Sequence, residues 1–273
     1  MLITERQQQL EADDGALLRV TSVGSGPGVV IVHGGGVTAS LYRRLAERLS
    51  GHLTVHLYNR RGRADAPPRR EPYEIAHDVA DLAVILRGTG AESVIGHSSG
   101  GYIALVAAQQ LAIDRLVLYD AAVSVDGGFP AGWLPAARAA AASGDLARCM
   151  ALTSAGINTH QPTARLPLVV QTKLCRLFLR TSIGATMGAL LPTTLDESQQ
   201  IAEDDGPASR WANISAGVLL SYGVSGPRYY QGLNQALAAA IPHATLLPIK
   251  GQGHDGINRA PAVLADAYTT FLR

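Results

Sequence analysis

Apolar residues along this chain gather into short runs separated by longer stretches in which they recur at helical spacing. The runs are Gly28 to His33 (GVVIVH), Leu53 to Tyr58 (LTVHLY), Ser93 to Gly96 (SVIG), Arg115 to Tyr119 (RLVLY), Gly217 to Tyr222 (GVLLSY) and Ala244 to Ile249 (ATLLPI). Each is rich in Val, Ile and Leu and lacks the in-and-out alternation of a half-exposed strand, so each is predicted to be buried on both faces. Leu17 to Val23 is predicted as an additional edge strand. Helical patterns lie between the runs at about Ala39 to Leu49, Glu74 to Leu86, Gly100 to Leu111, Tyr229 to Ala240 and Pro261 to Phe271. Strands alternating with helices in this way predict βαβ units, hence an α/β fold with a mostly parallel sheet flanked by helices.

One segment breaks the alternation. From Asp126 to Asn213 no strand pattern occurs, only helical patterns interrupted by Gly and Pro, including the Ala-rich stretch around 138 to 145 and LPLVVQTKLCRLFLRTSIGATMGALL. The expected organisation is therefore a core of residues 1–125 and 214–273 with a helical lid, 126–213, inserted between two core strands. Such an insertion falls over the C-terminal edge of the sheet, where open α/β sheets bind ligands.

Composition narrows the partners. Lys and Arg number 23 against 22 Asp and Glu, a net charge of +1 with no long basic run, which gives no footprint for nucleic acid or an anionic membrane surface. The charged, Gln-rich start MLITERQQQLEADDG lacks the apolar core of an export signal, so a cytoplasmic location is expected. Cys149 and Cys175 have no CxxC spacing or His cluster beside them and are expected to be buried or idle thiols, and no metal or organic cofactor is implied.

Chemistry is suggested at three places. Gly96-His97-Ser98-Ser99-Gly100 fits G-x-S-x-G between an apolar strand and an Ala-rich helix, the setting that pattern requires. There Ser98 would project its hydroxyl from a sharp turn at a helix N-terminus, and Ser99 would offer its backbone N–H to a developing oxyanion, its side chain mattering less. His33-Gly34-Gly35-Gly36 follows a strand directly, and its glycines allow the N–H of Gly35, with Gly36 as a further candidate, to approach the same oxygen. A phosphate loop is the competing reading, but no G-x-G-x-x-G follows the strand, and the next strand ends in Asn59-Arg60-Arg61 rather than an acid; an Arg pair suited to a 2′-phosphate keeps a dinucleotide site as an alternative. His254, in the Gly-rich loop KGQGHD after the last run, is placed to serve as a base, whereas His97 reads as structural. Arg60, Arg61 and Arg63 in NRRGRADAPP read as a solvated loop.

Taken together, HGGG after the third strand, NRRGR after the fourth, GHSSGG after the fifth, RLVLYD at the sixth, a helical insertion and then GQGHD resemble the α/β-hydrolase superfamily over nearly the whole chain. The resemblance implies a Ser-acid-His arrangement, yet where members commonly carry the acid after the penultimate strand this chain has Gly226. Asp120, ending RLVLYD, is the favoured substitute, since some members carry the acid there and the order Ser98, Asp120, His254 is kept; Asp126 and Asp255 are weaker candidates, and an Asp capping a loop is the plain alternative. The expected activity is that of a serine hydrolase acting through an acyl-enzyme on an ester, lactone or thioester of a small, largely apolar molecule. Phe129, Trp133, Phe178 and Trp211 are candidates to face its pocket. Acyl transfer, cyclisation or carbon–carbon cleavage on the same site, or a ligand receptor that has lost catalysis, are the alternatives.

Overall fold

The computed structural model describes residues 4–273; Met1 to Ile3, the beginning of the stretch expected to carry no export signal, lie outside them. Eight strands form one sheet: β1 (Glu5–Glu11), β2 (Leu17–Gly24), β3 (Gly28–Val32), β4 (Thr54–Tyr58), β5 (Ser93–His97), β6 (Arg115–Tyr119), β7 (Gly217–Gly223) and β8 (Ala244–Ile249). Their spatial order is β1-β2-β4-β3-β5-β6-β7-β8. From β4 onward along this order every pairing is parallel, and β1 and β2 close one side antiparallel.

The unbroken apolar runs have a direct cause. Along β3, Val30 and Val32 enter one core layer while Val29 and Ile31 enter the other. The same split divides Leu116 and Leu118 from Val117 and Tyr119 on β6. Successive residues of a strand point to opposite faces, so a sheet covered on both sides needs apolar residues at every position. One layer is covered by α1 (Arg43–Leu49) and, after the insertion, by α10 (Gly256–Arg259) and α11 (Ala262–Leu272). The opposite layer holds α2 (Ile75–Thr89), α3 (Ser99–Ala108) and α9 (Arg228–Ala240).

Two readings of the N-terminal region need correction. β1, with the sequence ERQQQLE, was not anticipated, because its side chains are mostly exposed and carry no apolar alternation. It lies outside β2, so Leu17–Gly24 is interior to the sheet rather than its edge. Charged and polar side chains on the true edge discourage a further strand from pairing there.

Between β6 and β7 the chain forms α4 (Leu134–Ala142), α5 (Leu146–Ile157), α6 (Leu168–Phe178), α7 (Ser182–Ala189) and α8 (Leu191–Glu203), with no strand among them. These helices share a small core of their own, including Leu134, Met150, Leu191, Leu195 and the buried thiol of Cys149; Cys175 is half-buried. No helix among the described residues is long and apolar enough to cross a membrane.

Candidate active site

The turn from β5 into α3 holds Ser98 with φ 54° and ψ −125°, a strained region for a residue with a side chain. Its flanking glycines are sterically required. A Cβ on Gly96 would lie 2.7 Å from Gly101 Cα and 2.8 Å from Ala104 Cβ, and one on Gly100 would run into the carbonyl oxygens of Val32 and His33. Strand β3 and helix α3 therefore approach so closely that the turn closes only without those side chains. Backbone bonds fix it further: Ser98 N–H donates to Tyr119 at 3.2 Å, and Gly101 and Ala122 N–H groups both donate to the Ser98 carbonyl at 2.9 Å.

His254 lies across the sheet edge, in the loop between β8 and α10. Its Nδ1 is 3.1 Å from Asp120 Oδ2. Asp120 follows β6, is fully buried, has φ 43°, and its other oxygen accepts the Gly223 N–H at 3.2 Å. With Nδ1–H donating to the carboxylate, Nε2 of His254 keeps a free lone pair on the cavity side. Tyr230 stacks on the imidazole at 5.0 Å and 6°. No hydrogen bond joins Ser98 to His254 directly among the described residues; both face the same cavity. A Cβ on Gly226 would stand 3.7 Å from Asp120 Oδ2, so the common acid position and Asp120 converge on one point. Asp255 instead pairs with Arg259 at the surface, and among the described residues no side-chain bond links Asp126 to the site.

His97 holds the site together. Burial drives its pKa well below the ordinary value, so it is neutral. Its Nε2–H donates to the His254 carbonyl at 3.0 Å, leaving Nδ1 to accept from the Tyr42 hydroxyl at 2.5 Å. The same hydroxyl accepts the Gly34 N–H at 3.0 Å. A continuous strut thus runs from the glycine loop to the backbone of His254. His33, also held neutral by burial, donates from Nδ1 to the Gly34 carbonyl at 2.9 Å and accepts the Arg60 N–H at 3.1 Å.

Arg60, Arg61 and Arg63 are not solvated, contrary to the sequence reading: they are 0%, 5% and 2% exposed. Arg60 grips Asp78 through two bonds of 2.9 and 2.8 Å, and Arg61 is shared between Asp81 and Asp14. Arg60 and Arg63 both pair with Glu197, a buried residue of α8. Ser99 Oγ donates to Glu197 Oε2 at 2.6 Å, so its side chain matters more than expected: it ties the turn to the insertion. Burial pushes the Glu197 carboxyl up, but Arg60 and Arg63 outweigh it and hold it below the usual range. Asp78 is likewise raised by burial and lowered further by Arg60, to about 2. Glu197 was missed from sequence. Its one signal was its register on α8, four residues from buried Thr193 and Ile201 on either side.

These groups border a cavity of about 860 Å³ beneath the insertion, lined on the sheet side by Gly34–Gly36, Ser98, Ser99 and His254. The opposite wall carries an apolar patch of Phe129, Met150, Ile157, Met187 and Leu191, interspersed with polar groups such as Thr153, Ser154, Asn158 and Gln161. Of the four aromatic residues proposed to face it, Phe129 alone lines it; Trp211 is fully buried in the core instead. Phe178 is exposed on the outer face of the insertion, and sequence alone does not distinguish pocket, packing and surface positions.

A sequence profile described as "Alpha/beta hydrolase family" matches residues 29–267. The chain belongs to the α/β hydrolase family. An α/β hydrolase from Sphaerobacter thermophilus shares 28% identity with this one, covering 97% of this chain and 100% of that one with a TM-score of 0.80. An esterase from Exiguobacterium antarcticum has a TM-score of 0.67 at 16% identity over 98% and 99% of the two chains, a likeness of fold. The pimeloyl-[acyl-carrier protein] methyl ester esterase of Chromobacterium violaceum is 38% identical over 89 residues, 32% of this hydrolase and 33% of that enzyme. Its counterpart in Xanthomonas campestris is 32% identical over 91 residues. The match spans about a third of the length of these esterases.

Proposed function

We propose that this α/β hydrolase is a serine hydrolase acting on esters, lactones or thioesters of small, largely apolar molecules. The observation that carries the reading is the 3.1 Å contact of Asp120 with His254 Nδ1, at a cavity that also receives Ser98 from a strained strand-to-helix turn. In this reading Ser98 Oγ attacks the acyl carbon while His254 Nε2 takes its proton. Asp120 holds the tautomer and stabilises the imidazolium. The oxyanion is received by the N–H groups of Ser99 and Gly35, with Gly36 beside them, each such donor contributing about 3 kcal/mol to the transition state. The imidazolium returns the proton to the leaving oxygen or sulfur. Water, deprotonated by the same imidazole, then attacks the acyl-enzyme and restores Ser98.

Support for an apolar substrate comes from the wall built by Phe129, Met150, Met187 and Leu191. The segment 126–213 acts as a lid in this proposal, excluding water from the acyl group. Support for ester chemistry comes also from the partial likeness to the two methyl ester esterases. The test is labelling with a fluorophosphonate probe followed by an ester, lactone and thioester panel. A covalent adduct on Ser98, lost in Ser98→Ala, is expected; a folded protein that takes no adduct overturns the reading.

A further inference from the structure

The outer face of the insertion departs from the rest of the surface. Helix α6 has no buried residue. Val170, Leu174, Leu177 and Phe178 recur at helical spacing along it, and Val169 and Leu177 are 67% and 64% exposed. Ile183 on α7 is 60% exposed and also lines the cavity, and its neighbour Gly184 lies against the Phe178 carbonyl at the end of α6. Scattered exposed apolar residues are ordinary, but a contiguous stripe of this kind marks an interaction surface.

Charge identifies the partner. From Leu146 to Leu195 the chain has no Asp or Glu but five cations, Arg148, Arg165, Lys173, Arg176 and Arg180. No ion pair holds any of the five among the described residues. Lys173, Arg176 and Arg180 recur three and four residues apart, along one flank of the stripe. The net charge of +1 for the whole chain conceals this segregation. We infer that the α6–α7 face docks on an anionic lipid surface, its apolar stripe entering the headgroup boundary and its cations meeting the lipid phosphates. A second copy of the chain would bring like charges together on this face. A folded protein partner is disfavoured because the stripe is aliphatic apart from Phe178 and lacks the Tyr and Trp anchors of protein interfaces. Docking in this orientation sets Ile183 at the lipid boundary, so that an apolar chain passes from lipid to cavity without crossing water.

The passage of a substrate chain rests on the hydrolase reading, but docking does not, and it is therefore read by cosedimentation rather than by turnover. The intact protein is spun with phosphatidylcholine vesicles with and without phosphatidylglycerol. Binding to the anionic vesicles is expected, weakened on the order of a hundredfold in the triple variant Lys173→Gln, Arg176→Gln, Arg180→Gln. In Leu174→Ser with Leu177→Ser it weakens at least about tenfold. Both variants change only exposed side chains and keep the circular dichroism spectrum of the parent. Absence of binding to anionic vesicles at low salt overturns the inference, as does binding that neither variant weakens. A dimer in sedimentation velocity that Leu174→Ser with Leu177→Ser dissolves, without vesicle binding, assigns the face to self-association instead. Retention on an immobilised acidic carrier protein, again without vesicle binding, assigns it to a protein.

Discussion

On the sheet side of the cavity, the groups that carry the proposed chemistry are fixed by partners on several elements: His254 by Asp120, His97 and Tyr230, and Ser99 by Glu197. On the insertion side, apart from Glu197, the wall mixes apolar side chains such as Phe129, Met150, Met187 and Leu191 with uncharged polar ones such as Thr153, Ser154 and Asn158. The cations divide in the same way. Arg60, Arg61 and Arg63 are buried and paired, whereas Lys173, Arg176 and Arg180 are exposed and unpaired among the described residues. Rigidity suits a catalytic constellation, which must hold its geometry closely, while a substrate wall needs shape and apolarity.

The largest effect tests whether the chemistry lies wholly on the rigid side. Ser98→Ala is expected to lower the turnover of a p-nitrophenyl ester by about six orders of magnitude and Asp120→Asn by about four, each with an unchanged melting curve shape. Turnover that survives Asp120→Asn would move the acid elsewhere. Next, Glu197→Ala strands the buried Arg63 guanidinium and leaves Arg60 with Asp78 alone, and is expected to cost about 3–5 kcal/mol of stability in urea unfolding. Lys173→Gln, with no ion pair to lose, is expected to stay within about 0.5 kcal/mol. Equal effects from the two would erase the contrast between the two sets of charges.

Acid sensitivity is expected from the buried imidazoles, two of which stand beside the glycine loop and Ser98. Burial depresses the pKa of His33, His56 and His97, that of His56 to about 4. The unfolded chain takes up protons near pH 6.5 that these folded residues refuse, so their contribution is complete above pH 6.5 and is lost as the pH falls. The urea midpoint should drop steadily as the pH falls from 6.5 toward 5. A flat profile there would show that the imidazoles charge without penalty. Asp78, lowered to about 2, and Glu197 act in the same direction once the pH falls below about 4. The smallest effect belongs to the apolar wall: Met187→Ala should raise KM for octanoyl over acetyl esters up to about tenfold and leave kcat unaltered. A fall in kcat instead would give that wall a part in positioning the reacting groups.

Legibility in the sequence followed the range of the interactions. The parallel strands and the Gly96–Gly100 turn were readable because their causes are local: burial on both faces and the close approach of neighbouring backbones. β1 was not, since an edge strand of Glu, Arg and Gln leaves no periodic trace. The fate of Arg60 and Arg63 was hidden for a different reason. Their partners stand at positions 78 and 197, and a charge in sequence does not say which acid will neutralise it. His97 reads as structural from sequence, but the strut it forms joins residues 55 and 157 positions away, beyond any spacing rule.

The approach of Gly226 to Asp120 gives the glycine loop after β7 a meaning beyond packing. The carboxylate that faces His254 Nδ1 occupies a place in space, and the ends of two neighbouring strands both reach it. An acid can therefore migrate between β6 and β7 through intermediates in which both or either is present, while the imidazole stays where it is. Two chains that differ at this position can present a carboxylate to the same imidazole, and a comparison keyed to position 226 alone would overlook the contact Asp120 makes here.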